Sequence, residues 1–273
     1  MNNPAAAIGG TVLLLLAAGG VGWFLLPGSQ DTETSSAPLP VPPVPPRLEE
    51  SARYEQCLAM LPDDPRGAAG FAEAWTDGGE GAAHCGALAE VALGEEETGA
   101  DHLEHLAAAS HTAAPARAVV FGQAAQAWLM AGNAARAFGA GSAALALTPD
   151  DPDRLIEHAV AATALERFQG AVDDLTHALD IDANRPDALV LRAAAWRHLN
   201  RLGLARDDVD RAIAIDPDNA EALLERGILR QRRNDAAGAR ADWKRAIELD
   251  PDSATADLAE QNLSLLEAGP AQR

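Results

Sequence analysis

The stretch "AIDPDNAEAL", residues 214–223, has the pattern of a junction between two helices. Three similar stretches surround it, namely "LTPDDPDRL" (147–155), "IDANRPDAL" (181–189) and "ELDPDSATA" (248–256). The same position in the four stretches is held, at a constant interval, by Pro149, Ala183, Pro217 and Pro251. Proline cannot continue a helix, so a stop signal on a fixed period indicates one helical unit built several times.

Four units of equal length follow from this period: 118–151, 152–185, 186–219 and 220–253. Small residues recur at fixed places in them: Ala125, Ala159, Ala193 and Gly227 in the first half, then Ala137, Ala171, Ala205 and Ala239, then Ala144, Ala178, Ala212 and Ala246. Small side chains that face each other let two helices approach closely. The pattern therefore predicts an all-α array of antiparallel helix pairs.

This pattern resembles the tetratricopeptide repeat over residues 118–253. The large first-helix residues of the family correspond to Phe121, Leu155, Leu189 and Leu223, with Trp128 and Trp196 further along, and the bulky second-helix residue corresponds to Leu175, Val209 and Trp243. Gly141, Ala162 and Arg230 depart from the family pattern, and we expect looser packing around them. The resemblance implies a right-handed solenoid.

The flanks of the four units extend the same architecture. Residues 48–117 are interpreted as degenerate helical repeats, with a turn at Leu93-Gly94 and a small pair at Ala87 and Gly99. Residues 254–268 predict a helix that caps the open end of the array, as terminal repeats must for solubility, and 269–273 form a tail. About thirteen helices and no sheet are expected.

The two cysteines, Cys57 and Cys85, are separated by slightly less than one repeat and would lie on the first helices of adjacent units. We predict a disulfide between them, which would contribute about 3–4 kcal/mol for a loop of this length. Two buried free thiols are the simplest alternative. A zinc site is the other, with ligands drawn from Cys57, Cys85, His84, His102, His105 and His111. The run lacks paired C-x-x-C spacing, so we predict no metal.

The N-terminal part of the chain, up to residue 47, differs from the rest in composition. Residues 1–4 form a short N-terminus. Residues 5–26 carry no charged side chain. As a helix they would be about 33 Å long, which is enough to cross the hydrocarbon core of a membrane. We expect a transmembrane anchor at 5–27, or alternatively a cleaved signal sequence. Residues 28–47 form a Pro-rich linker of polyproline II type. The expected location is a bacterial inner membrane, single-pass, with the C-terminal domain in the periplasm; after cleavage the protein would be soluble and periplasmic.

Charge and motifs exclude several functions. A net charge of −20 argues against a nucleic-acid partner, because phosphate binding needs clustered Lys and Arg. The chain has no Gly-rich phosphate loop, no G-x-S-x-G and no H-E-x-x-H, so we predict neither an enzyme nor a cofactor. The arginines of residues 226–233 could dock an acidic partner segment, or they form a solvated face with intrahelical ion pairs.

The resemblance implies that partners bind the concave face, which the first helix of each unit lines. Family groove positions correspond to Ile156, Val160, Val190, Ala194, Leu224 and Ile228, with polar flanks at Thr163, Arg197 and Gln231. Chaperone-adaptor members of the family clamp a terminal carboxylate with basic and amide residues at these places, whereas most are aliphatic here. An apolar groove with an arginine rim suits an extended or helical peptide, unless neighbouring repeats or the linker cover it.

The function expected from these features is a membrane-tethered scaffold or adaptor that binds partner proteins through this groove. The alternative from another class is a soluble periplasmic accessory protein, linked to metal or redox chemistry, on the same solenoid. A purely structural spacer is a third possibility.

Overall fold

The computed structural model describes residues 47–268, which form thirteen helices and, within that range, no strand. The helices are α1 (Ala52–Met60), α2 (Pro65–Ala74), α3 (Gly79–Ala92), α4 (Glu96–Ala109), α5 (Ala114–Met130), α6 (Ala134–Leu147), α7 (Pro152–Ala164), α8 (Phe168–Ile181), α9 (Pro186–His198), α10 (Leu202–Ile215), α11 (Ala220–Arg232), α12 (Ala236–Leu249) and α13 (Ala254–Ala268). The all-helical prediction is confirmed for this part of the chain.

The expected anchor at 5–27, nearly all of the linker at 28–47 and the tail at 269–273 lie outside the described residues. Within residues 47–268, no helix combines the length and the apolar character needed to cross a bilayer.

The turn inside each unit repeats one backbone conformation. Left-handed φ angles between 56° and 75° recur once in each of the four units, at Gly132, Glu166, Asn200 and Asn234. These four residues have the same constant spacing as the stop signals. A left-handed residue ends one helix and redirects the chain into the next, and glycine and asparagine adopt this conformation most readily. The period of the sequence is therefore also a period of the backbone.

Capping side chains mark where first helices begin. The Asn219 side chain accepts a hydrogen bond from the Ala222 amide at 2.7 Å, and Ser253 Oγ accepts one from Ala256 at 3.1 Å. Pro152 and Pro186 each occupy the first helical position, where a missing N–H costs nothing. Helix starts are thus fixed by the residues that follow each stop signal.

The recurring small residues lie in the core. Ala137, Ala171, Ala205 and Ala239 have no exposed surface. In the last unit, Gly227 of α11 faces the buried Trp243 of α12, and a Cβ at Gly227 would overlap the indole ring. Close approach of the paired helices therefore depends on small residues at these places, as predicted.

First and second helices differ in what they contact. Successive first helices contact each other in the pairs α1–α3, α5–α7, α7–α9, α9–α11 and α11–α13. No two second helices make comparable contacts within residues 47–268. First helices are therefore the more closely spaced row, which places them on the inner, concave side of the array.

The degenerate repeats at 48–117 form two further helix pairs. Gly94 provides the left-handed turn between α3 and α4, with φ of 85°, and Leu103 is fully buried. A disulfide joins Cys57 of α1 to Cys85 of α3, with the Cα atoms 6.2 Å apart. The bond ties together two neighbouring first helices where the repeat pattern is weakest.

Substitution of Gly99 tests the close contact between α3 and α4. A Cβ at Gly99 would lie 2.7 Å from the Ala87 carbonyl oxygen, which belongs to rigid helix backbone. We expect Gly99→Ala to lower the free energy of unfolding by about 1–3 kcal/mol. Gly170→Ala is the matched control, because nothing lies within 4 Å of its added Cβ; it should raise stability by up to about 1 kcal/mol. Urea denaturation followed by circular dichroism compares the two, and equal effects would mean that α3 and α4 do not meet at Gly99.

Candidate functional site

The nine groove positions are not equally accessible. Six are half-buried, with part of each side chain open to solvent: Val160, Thr163, Ala194, Leu224, Ile228 and Gln231. Ile156 and Val190 are buried, at 8% and 7% exposure, and pack in the core around α7–α9. The accessible apolar part of the concave face is therefore formed by Val160, Ala194, Leu224 and Ile228.

Arg197, predicted on the rim of the groove, is held by an ion pair between two first helices. Its Nε donates to Glu225 Oε1 at 2.6 Å, from α9 to α11, and both side chains are largely buried. Glu225 was not singled out from the sequence. The arginine thus links neighbouring units, and a partner would meet it as one half of a neutral pair.

A second charged pair covers the groove near its start. Gly122 of α5 holds the repeat position that Ile156, Val190 and Leu224 hold later, and Arg154 and Glu157 of α7 lie against it. Arg154 Nη2 lies 2.9 Å from Glu157 Oε1. Within residues 47–268, Arg154 Nε and Glu157 Oε2 have no hydrogen-bond partner. Burial raises the pKa of Glu157 to about 7, against the opposing effect of Arg154. The local charge therefore changes near neutral pH.

Titration of Glu157 has a predicted effect on stability. Its folded-state pKa of about 7 exceeds the ordinary value of 4.5, so folding favours the protonated form. The contribution of Glu157 to stability is then highest below pH 4.5 and declines as the pH rises to about 7. We expect Glu157→Gln to gain stability relative to the wild type between about pH 5 and pH 8. Urea midpoints at the two pH values measure this, with the exposed Glu221→Gln as control. A gain of the same size for both variants would contradict the assignment.

The histidines and cysteines considered for the alternative metal site are not gathered around one point. His84 is buried between Tyr54 and Gln123: the Tyr54 hydroxyl bonds its Nδ1, and Gln123 Oε1 lies 2.6 Å from its Nε2. Desolvation lowers the pKa of His84 and raises that of Tyr54 to about 12. His102 instead contacts Glu90 at 2.7 Å. In the described range, no group of three His, Cys, Asp or Glu side chains is close enough together to hold a metal ion.

A repeated polar pair inside the helix pairs was not predicted from the sequence. The seventh and twenty-third residues of three units bond each other: His158 with Asp174, Arg192 with Asp208 and Arg226 with Asp242, all at 2.7 Å. Asp208 and Asp242 are buried, at 4% exposure each. In the first unit the same two places hold the buried alanines Ala124 and Ala140. The equal spacing of the three aspartates was the signal that could have revealed the pairs.

The tetratricopeptide-repeat family model matches residues 197–264. No curated protein matches the chain at a significant level. Many solved structures are similar in fold, and three of them illustrate the match. The Cut9–Hcn1 hetero-tetramer of the APC/C matches with a TM-score of 0.60 and 16% identity, over 77% of this chain and 42% of that one. The pilF protein of Pseudomonas aeruginosa matches with a TM-score of 0.59 and 15% identity, over 77% and 96%. YrrB, a repeat protein with an unusual peptide-binding site, matches with a TM-score of 0.50 and 17% identity, over 72% and 98%.

The present chain thus spans less than half the length of the Cut9–Hcn1 chain but nearly all of the pilF and YrrB chains. At these identities the similarity concerns the fold. The family match over residues 197–264 and the helix pairs that recur at a constant interval identify the chain as a tetratricopeptide-repeat protein.

Proposed function

We propose that this protein is a non-catalytic scaffold that holds partner proteins against the concave face of its helix array. The observation that carries the proposal is the row of half-buried aliphatic side chains on successive first helices, from Val160 on α7 through Ala194 on α9 to Ile228 on α11. A peptide laid along this row would bury apolar surface on both sides. The peptide-binding site named for YrrB supports the same use of a similar array.

We further propose that residues 5–27 anchor the chain in a bacterial inner membrane and that the Pro-rich linker at 28–47 holds the repeats on the periplasmic side. The Cys57–Cys85 disulfide supports this location, because structural disulfides persist in oxidising compartments and are rare in the cytosol. A scaffold placed in this way would gather partners close to the membrane.

Pull-down from cells tests the docking face. Val160→Glu/Ile228→Glu is the informative double variant, because both side chains are half-buried and a carboxylate can reach solvent there. Glutamate at the buried Ile156 would instead disturb the core. Ala135→Glu/Ala241→Glu adds the same charge on exposed positions of second helices and serves as the control. Loss of partners in the first variant but not the second is expected. Identical partner lists for all three proteins would refute the docking face.

Location is tested separately. Fractionation at high salt should leave the protein with the membranes, whereas a cleaved, soluble form would be released.

Rapid alkylation of intact cells followed by mass spectrometry should find Cys57 and Cys85 unmodified and bonded. Two alkylated thiols in that experiment would argue against the periplasm.

A further inference from the structure

A cavity of about 420 Å³ lies between α10 and α11, away from the concave face. Its charged lining consists of Arg206, Asp210, Arg226, Arg230 and Arg233. On α11 and its C-cap Arg233, the lining residues hold positions 226, 229, 230 and 233, whereas the groove residues hold positions 224, 228 and 231. Two such series offset by two residues lie on different sides of a helix. The cavity is therefore a second surface, formed where units 186–219 and 220–253 meet and separate from the groove.

The cavity exists where the chain departs from the family pattern. Arg230 holds the place that Trp128 and Trp196 hold in two other units, and the indole of Trp128 is fully buried. Leu202 likewise stands where α8 has Phe168, whose ring stacks on His198. The looser packing expected at Arg230 is thus an open space between two helices.

Arginine side chains are concentrated around this space. Four arginines line it, against one lining carboxylate, Asp210, and one buried carboxylate behind it, Asp242. Arg226 and Arg230 share Asp242, with contacts of 2.7 Å each. In the described range no carboxylate lies within ion-pair distance of Arg233, and Arg206 is half exposed beside Asp207 and Asp210. Arg230 Nε also lies 4.0 Å from Asp235, so three of the four lining arginines have a carboxylate partner. Among residues 47–268, Arg233 is therefore the lining arginine whose charge no carboxylate offsets, and the half-exposed Arg206 can exchange its surface partners for those of a ligand.

The base of the cavity is apolar. Leu202 of α10 is half-buried and forms the accessible apolar part of the lining, whereas Val209 and Leu229 are almost fully buried, at 0% and 4% exposure. Gly203 leaves the N-terminal end of α10 open, because nothing lies within 4 Å of a Cβ built there. A free inorganic anion would use the arginines but leave this apolar surface uncovered. A ligand that matches both parts carries carboxylates next to an aliphatic group.

We propose that the α10–α11 pocket binds an acidic peptide segment of a partner protein, with one aliphatic side chain seated on Leu202 beside Gly203 and flanking carboxylates paired with Arg206 and Arg233. Guanidinium groups bind carboxylates in fixed bidentate geometry, which gives the pocket selectivity for this chemistry. The pocket recognises charge, whereas the concave face recognises apolar surface. Binding at the two sites is independent.

Fluorescence anisotropy with the full-length protein tests the proposal, using a labelled peptide of sequence EDLEDE as the probe. Arg206→Glu/Arg233→Glu should weaken binding at least about tenfold, because both guanidinium groups face the ligand. Arg232→Glu/Arg240→Glu makes the same change in net charge outside the pocket and should weaken binding less than about twofold. Gly203→Leu, which fills the apolar base without removing charge, should also weaken binding while the protein stays folded by circular dichroism.

Two control peptides separate the contributions of charge and of the aliphatic residue. EDSEDE and QNLQNQ should each bind at least about fivefold more weakly than EDLEDE. Equal losses of affinity in the two arginine double variants would mean that the peptide responds only to the net charge of the protein. Equal affinity for EDLEDE and EDSEDE would indicate a simple anion site. Either result overturns the proposal. So does absence of binding to the wild-type protein. The groove variant Val160→Glu/Ile228→Glu should bind EDLEDE with the affinity of the wild type. Failure of the pocket proposal can therefore be distinguished from failure of the proposed function of the concave face.

Discussion

Replacement of Trp243 by alanine should lower the free energy of unfolding by about 3–5 kcal/mol. The indole is fully buried in the last full repeat, lies against Gly227, and donates a hydrogen bond from Nε1 to the Leu224 carbonyl oxygen at 3.1 Å. Alanine would leave a large cavity between α11 and α12, and the surrounding helices can close it only in part. Urea denaturation followed by far-ultraviolet circular dichroism measures the loss.

Trp243→Phe separates packing from hydrogen bonding in the same place. The ring remains but the N–H donor is lost, so we expect a smaller loss, of about 1–2 kcal/mol. A loss below about 1 kcal/mol for Trp243→Ala would show that the indole is not packed between the two helices and would contradict the helix pairing described for this unit.

Replacement of Asp208 by alanine should cost about 3 kcal/mol or more. Asp208 receives two hydrogen bonds from Arg192, of 2.8 Å and 2.7 Å, and Arg192 also donates to Thr176 Oγ1 at 3.1 Å. One arginine on α9 thereby joins α8 and α10. Without Asp208, the Arg192 side chain, which is only 14% exposed, would keep its charge in a poorly solvated place with Thr176 as a single neutral partner.

The double variant Arg192→Met/Asp208→Leu tests whether that loss comes from the orphaned charge. An apolar pair of similar volume removes both charges, so its stability should lie much closer to that of the wild type than Asp208→Ala does. The first unit already uses buried alanines at the two corresponding places, Ala124 and Ala140. A double variant as unstable as the single one would mean that the ion pair itself stabilises the fold and that the loss does not come from an orphaned charge.

The sequence predicts the helices because one signal is repeated several times. A stop near Pro217 and an N-cap at Asn219 are weak indications alone, but the same pattern at a constant interval excludes other interpretations. Small residues such as Ala171 and Ala205 then indicate which sides of the helices meet, because only close contacts require them. Both inferences rest on residue types and their spacing, which can be read directly from one sequence.

Accessibility of the groove was less predictable. Ile156 and Leu224 hold the same repeat position, yet the first is buried and the second is partly open. The difference depends on how closely each first helix approaches its neighbours, which is a property of packing between units. Arg197 shows the same limit, since its partner Glu225 lies one unit away and neither residue indicates the other in sequence.

The polar pairs and the pocket involve departures from the family pattern. Asp208 and Asp242 are buried, where a charge is costly without a partner, so their constant spacing from Arg192 and Arg226 carried information that a search for apolar periodicity overlooks. Arg230 was recognised as a departure, but the volume it leaves depends on Leu202 and Gly203 of the preceding unit. The size of the pocket therefore depends on residues of both repeats that meet at this junction.

A scaffold with two recognition surfaces would discriminate between partners better than one groove could. The concave face contributes apolar contact, and the α10–α11 pocket adds a requirement for acidic residues. A partner able to reach both at once would gain from the effective concentration of the second site.

Site-specific photo-crosslinking in living cells tests the use of the concave face most directly. A photoreactive amino acid at Ile228, on the inner face of α11, is compared with one at Gly139, exposed on the second helix α6. We predict discrete adducts with partner proteins from position 228 and none of comparable yield from position 139. Adducts from position 139 alone, or equal yields from both positions, would contradict the account.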